Sequence, residues 1–213
     1  MDFFKKNSYD MVRMVITQLG ISVFALIMSF AFMATNIEKG SFWYIVGNVA
    51  ISIFSTGFYY VLLYMSAWDW GAKDKIRIDA GKLSRNNCKV LLMGLIANAG
   101  NILIAWFAVI CLTIAIICLP ISSLDFVKFF YPAGAIAFLI LYLTSQMFYG
   151  TTSSIFEFLK NDGASTPTWF LMQAIAMLLF FIITILVGHL GYSLGVRDKR
   201  IFGFIKTKPK KYE

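Results

Sequence analysis

The chain has 213 residues, of which 59% are hydrophobic, 17% aromatic and only 14% charged, with a formal net charge of +8. Mean hydropathy is +0.74, whereas a soluble domain carries about 25% charged residues; a soluble enzyme, a disordered chain, a collagen-like chain and a disulfide scaffold are excluded. What fits is an all-α, polytopic transmembrane helical bundle, one integral membrane domain over residues 1–213 with about five membrane segments.

The opening MDFFKKNSYDMVR is mixed and polar. The apolar run behind it is too long for the h-region of a cleavable signal, so a first span that stays in place is expected. Apolar stretches follow at 14–34, 42–67, 90–119, 129–150 and 168–194, each long enough for a hydrocarbon core of about 30 Å. The third is over length, reaching ~45 Å as a helix, and is expected to be one helix that begins in the interface. Aromatic residues mark the expected water–lipid boundaries: Phe42, Trp43 and Tyr44 open the second span, Trp68 and Trp70 close it, and Phe129, Phe130 and Tyr131 open the fourth. Trp169 and Phe170 open the fifth.

Charge sets the expected orientation. Residues 1–13, 66–89 and 196–213 hold 16 of the 19 Lys/Arg, which places all three segments in the cytoplasm by the positive-inside rule. Three apolar stretches between Lys89 and Val196 would put the tail outside. The stretch 129–150, with Pro132 and Gly134, is therefore the candidate for a re-entrant or interfacial segment. Five full spans with an external tail, or six spans cut from 90–150, are the alternatives. The +8 charge reads as topology and attraction to anionic lipid, above all at the basic tail KTKPKKYE, rather than as a nucleic-acid site.

Chemistry-bearing constellations do not emerge. The only histidine is His189, the three cysteines are Cys88, Cys111 and Cys118, and no His/Cys/Asp/Glu set has metal-ligand spacing. GAKDKIRIDAGKLS is not a P-loop, because Ile76 stands where the motif needs glycine. The expectation is no enzyme, no catalytic residue, no cofactor and no metal. The five apolar cores also lack Asp, Glu, Lys and Arg, which counts against a proton-driven transporter.

Polar residues form a pattern instead. Gln18, Ser22, Ala25 and Ser29 fall at steps of 4, 3 and 4; so do Asn48, Ser52, Ser55 and Tyr59, and Gly94, Asn98, Asn101 and Ala105. Such steps make a narrow stripe on one helix face. Thr56 widens the second stripe. The stripes are expected to turn into the bundle, either as packing seams or as a polar face binding a small molecule. The segment WDWGAKDKIRIDAGKLSRNNCK, 68–89, reads as an ordered cytoplasmic loop bracketed by turns at Gly71 and Gly81. Its mixed charges, Asp69, Lys73, Asp74 and Arg77 among them, make it either a solvated topology anchor or a docking site for a protein partner.

Gln18-Leu-Gly, FYYVLLYMSAWDWGAKDKIRID, GLIANAGNIL and GYSLGVRDKRIFG resemble those of uncharacterised small multi-pass membrane proteins of Gram-positive, clostridia-like bacteria. The resemblance covers the first half and the last quarter, while 121–167 match little. It implies a bacterial cell-membrane location and a cytoplasmic C-terminus, and it carries over no functional residue. The expectation from sequence is a non-enzymatic scaffold, assembly or regulatory membrane subunit. The alternative is a small transporter or substrate-binding subunit with its site between spans one to three.

Overall fold

The computed structural model describes residues 2–35, 41–84, 86, 88–118, 127–160 and 166–199. The polybasic end of the tail, with Lys208, Lys210 and Lys211, lies outside them. Among the described residues six helices follow one another: α1 Asp2–Met33, α2 Phe42–Asp79, α3 Lys89–Cys118, α4 Val127–Thr144, α5 Gln146–Lys160 and α6 Thr166–Val196. Four of them, α1, α2, α3 and α6, are long and apolar enough to cross a membrane, and α4 with α5 make a bent pair that could serve as a fifth segment. The protein is a multi-pass membrane helical bundle. Many large apolar side chains sit on the outside, as in Phe54, Leu103, Ile117 and Leu186, because lipid takes the place of water around them.

The third apolar stretch is one helix, as its length required. Three expectations are corrected. Residues 68–79 are not a loop but the end of α2, which runs to Asp79. Its acids and bases sit three or four apart, Asp69 to Lys73 and Asp74 to Arg77, a spacing that supports helix. Gly71 is therefore no turn, and the buried Trp70 is an interior residue rather than a boundary marker. The helix stops at Gly81, whose φ is +70°. The Gly81 amide reaches the Ile78 carbonyl and the Lys82 amide the Arg77 carbonyl, both at 2.9 Å. These two bonds close the helix end, and glycine takes the left-handed conformation without a Cβ clash.

One end of the bundle gathers four helix termini. Phe3 and Asn7 of α1 share a cavity with Leu83, Lys89 and Tyr192, and the Trp68 indole donates to the Lys199 carbonyl at 2.8 Å. The start of α1, the end of α2, the start of α3 and the end of α6 thus meet at one face, which carries Lys73, Lys75, Arg77, Lys82, Lys89 and Lys199. At the opposite face Phe32 of α1 stacks on Tyr44 of α2, with ring centroids 6.1 Å apart.

The α4–α5 pair enters from that opposite face. Gly134 of α4 lies against Leu112 and Cys111, near the far end of α3. The pair breaks at Ser145, where the axes turn by 115°. After the break the chain climbs back: the Met147 carbonyl meets Ser52 and Thr56, and Gly150 then lies against the Asn48 backbone, nearer the start of α2. Both arms of the pair thus run from the break toward the same end of the bundle, and α6 ends at the same face as α2. The turn comes at Ser145 and not at Pro132, which sits within α4; Gly134 serves close packing on Leu112 and Cys111.

Candidate functional site

The break at Ser145 lies near the middle of the apolar stretches of α1 and α2. A helix end leaves carbonyls without intrahelical partners, and in lipid the neighbouring helices must serve them. A hydroxyl from the first stripe does so at the end of α4, and hydroxyls from the second reach the first turn of α5. Ser22 donates to the Thr144 carbonyl at 2.9 Å. Ser52 and Thr56 donate to the Met147 carbonyl at 2.6 and 2.9 Å, and Thr151 donates to the Ser52 hydroxyl at 2.9 Å.

The stripes converge on this break. Gln18, Ser22, Ser52, Ser55, Tyr59 and Asn98 are each 3% exposed or less. Asn48 and Asn101 are half-buried; Asn48 donates to the Tyr44 carbonyl at 3.1 Å. Contacts with α6 place the deeper residues at one level. The Tyr60 hydroxyl reaches the Phe180 carbonyl at 3.4 Å, Gly94 packs on Ile185 one turn from Asn98, and Phe148 of α5 stacks on Phe180 at 4.8 Å. Tyr59, Asn98 and the first turn of α5 therefore share the depth of the middle of α6. Gln18 and Ser55 stand one turn from Ser22 and Ser52, toward the basic end.

Many polar atoms in this region have no hydrogen-bond partner among the described residues. They are Gln18 Nε2, Ser55 Oγ, Tyr59 OH, Asn98 Oδ1, Ser145 Oγ and Gln146 Oε1; both amide atoms of Gln173, near the start of α6, are also unpaired. An unpaired buried polar group costs about 1–3 kcal/mol, and such groups are ordinarily satisfied by bridging water, a ligand or a neighbouring side chain. Ser145, Gln146 and Gln173 were not singled out from sequence. Their signal was available: Thr144-Ser145-Gln146 is a polar triplet inside an apolar stretch, and Gln173 stands alone near the start of the fifth.

A second cluster closes the basic end. Asp74 is 2% exposed. Its Oδ2 accepts from Lys89 Nζ at 2.7 Å and from the Tyr192 hydroxyl at 3.0 Å, which ties α2, α3 and α6 together. Asp10 of α1 lies within electrostatic reach of the same Lys89. Arg77 approaches Asp74 only to 3.9 Å, with an exposed side chain. Of the residues expected in a docking loop, Asp69 and Lys73 form an exposed i,i+4 pair at 2.6 Å, while Asp74 faces the bundle interior and offers no surface to a partner.

Cavities lie at the periphery of these clusters. One of about 630 Å³ opens between α3 and α4, lined by apolar residues from Leu103 to Ile140. Another of about 210 Å³ adjoins Lys89 and Tyr192 at the basic end. No group of three or more His, Cys, Asp or Glu able to hold a metal occurs among the described residues. No protein family, curated protein or solved structure matches the chain.

Proposed function

We propose that the protein is a small-molecule-binding membrane subunit, a small transporter or substrate-binding component, whose site is the polar junction where α4 breaks into α5. It works without covalent chemistry. The observation that carries this reading is the set of buried, unpaired polar side chains contributed by α1, α2, α3 and α5 around a helix break at mid-span. Irregular backbone at membrane depth is tolerated where protein buries it or where it lines a polar cavity. The basic face would lie in the cytoplasm by the positive-inside rule, against anionic headgroups.

A scaffold, assembly or regulatory subunit is the second reading. It is favoured by the seam between α2 and α6, where Gly71, Gly191 and Gly195 bring backbone against backbone, and by the peripheral position of both larger cavities. The two readings separate in one purification. Full-length protein extracted gently from its native membrane and analysed by mass spectrometry should retain a low-mass compound, which Gln146→Leu should lose. A stoichiometric protein partner with no retained compound would overturn the binding reading in favour of the scaffold.

A further inference from the structure

We infer that the polar junction selects a small uncharged solute carrying both hydrogen-bond donors and acceptors, of the polyol or simple amide class; this rests on the junction being a binding site. The unpaired atoms themselves define the complement. Gln18 Nε2 can only donate, Asn98 Oδ1 and Gln146 Oε1 can only accept, and the hydroxyls of Ser55, Ser145 and Tyr59 can do either. A solute that offers only acceptors or only donors would leave part of this set unpaired, at the cost that unmade buried hydrogen bonds carry.

The junction holds no formal charge to welcome an ion. No Asp, Glu, Lys or Arg lies in the apolar stretches that form it. The buried charges Asp74 and Lys89 sit at the basic end and satisfy each other at 2.7 Å. A bare cation or anion brought to this depth would lose its hydration with only neutral dipoles in exchange, which is costly in a low-dielectric interior. A neutral solute exchanges water hydrogen bonds for protein ones at little net cost. Discrimination of this kind is strong where a site is built to pair a hydroxyl or amide, because the wrong molecule strands buried polar groups.

The test is ligand-observed saturation-transfer NMR on the full chain in lipid nanodiscs, with empty nanodiscs as the blank. The probes are glycerol, erythritol, urea and acetamide on one side, and acetate and ethylammonium on the other. Signals are expected from at least one neutral probe and from neither charged one, with binding about tenfold weaker in Gln18→Leu. Ser55→Ala, a smaller change, should weaken the same binding with its unfolding temperature held, so a misfolded Gln18→Leu would not obscure the result. Signals from acetate or ethylammonium alone would overturn the solute class while leaving a binding site in place. Neutral-probe signals that both substitutions leave unchanged would overturn the junction as their site. No signal from any probe, together with no compound retained from native membrane, would overturn both the class and the site.

Discussion

Lys89→Met should be among the most damaging single substitutions in the chain, lowering stability by about 3–5 kcal/mol. Lys89 Nζ is 2.7 Å from Asp74 Oδ2, and the Asp74 side chain is only 3% exposed. Removing the ammonium leaves a buried carboxylate with the Tyr192 hydroxyl at 3.0 Å as its close partner. Arg77, at 3.9 Å and largely in solvent, compensates weakly. The second substitution decides whether charge is the cause. Lys89→Met with Asp74→Leu removes both charges and should recover most of the loss, because replacing a whole buried pair by apolar groups is often neutral. Tyr192→Phe should cost less, about 1–2 kcal/mol, since it removes one hydrogen bond to a charged group. Equilibrium unfolding in detergent reads all of these. Equal damage in the single and double variants would show that the clasp acts through shape and not through its charges.

The glycine seam should be nearly as sensitive, and for a steric reason. A Cβ at Gly195 would collide with the Trp68 carbonyl, one at Gly71 with the Tyr192 carbonyl, and one at Gly191 would stand 2.7 Å from the Tyr64 carbonyl. These obstacles are backbone atoms, so no rotamer change relieves them. The helices must separate, and each Gly→Ala change should cost about 1–3 kcal/mol by overpacking, more for Gly→Leu. Close backbone approach through small residues is a main source of helix association in lipid, so lost contacts along α2 and α6 add to the strain. Gly20, Gly57 and Gly100 supply the contrast: nothing stands within 4 Å of a Cβ placed there. Alanine at those three sites should change stability by less than about 1 kcal/mol. If the two sets of glycines responded alike in unfolding measurements, the seam would not be where α2 and α6 are held.

Much of this architecture was legible because membrane insertion writes itself into composition. The apolar stretches mark the long helices, and the uneven spread of Lys and Arg singled out the fourth stretch as the candidate for a re-entrant segment. The stripes led to Gln18, Ser22, Ser52 and Asn98 as inward-facing residues through the 3.6-residue period alone. Other features depend on partners far away in sequence. The alternating charges after Trp68 suit a solvated loop as well as a helix, and only Tyr192, on α6, and Lys89, across the turn, make Asp74 an interior residue. Pro132 and Gly134 are the strongest local breakers in the fourth stretch, yet the chain turns at Ser145. Ser22 of α1 serves the freed Thr144 carbonyl there, Ser52 and Thr56 of α2 hold the first turn of α5, and no local signal in the fourth stretch records those donors.

The account depends most on the reversal of α4 and α5, and sidedness of labelling tests it directly. In a background of Cys88→Ser, Cys111→Ala and Cys118→Ala, single cysteines would be placed at Ser41, Lys82 and Lys199 and probed in intact cells with a membrane-impermeant maleimide. Ser41→Cys should label from outside, while Lys82→Cys and Lys199→Cys should label only after the membrane is opened. Labelling of Lys199→Cys and not Lys82→Cys in intact cells would mean that the pair crosses the bilayer completely, contradicting a helix break held at mid-membrane and the site built around it.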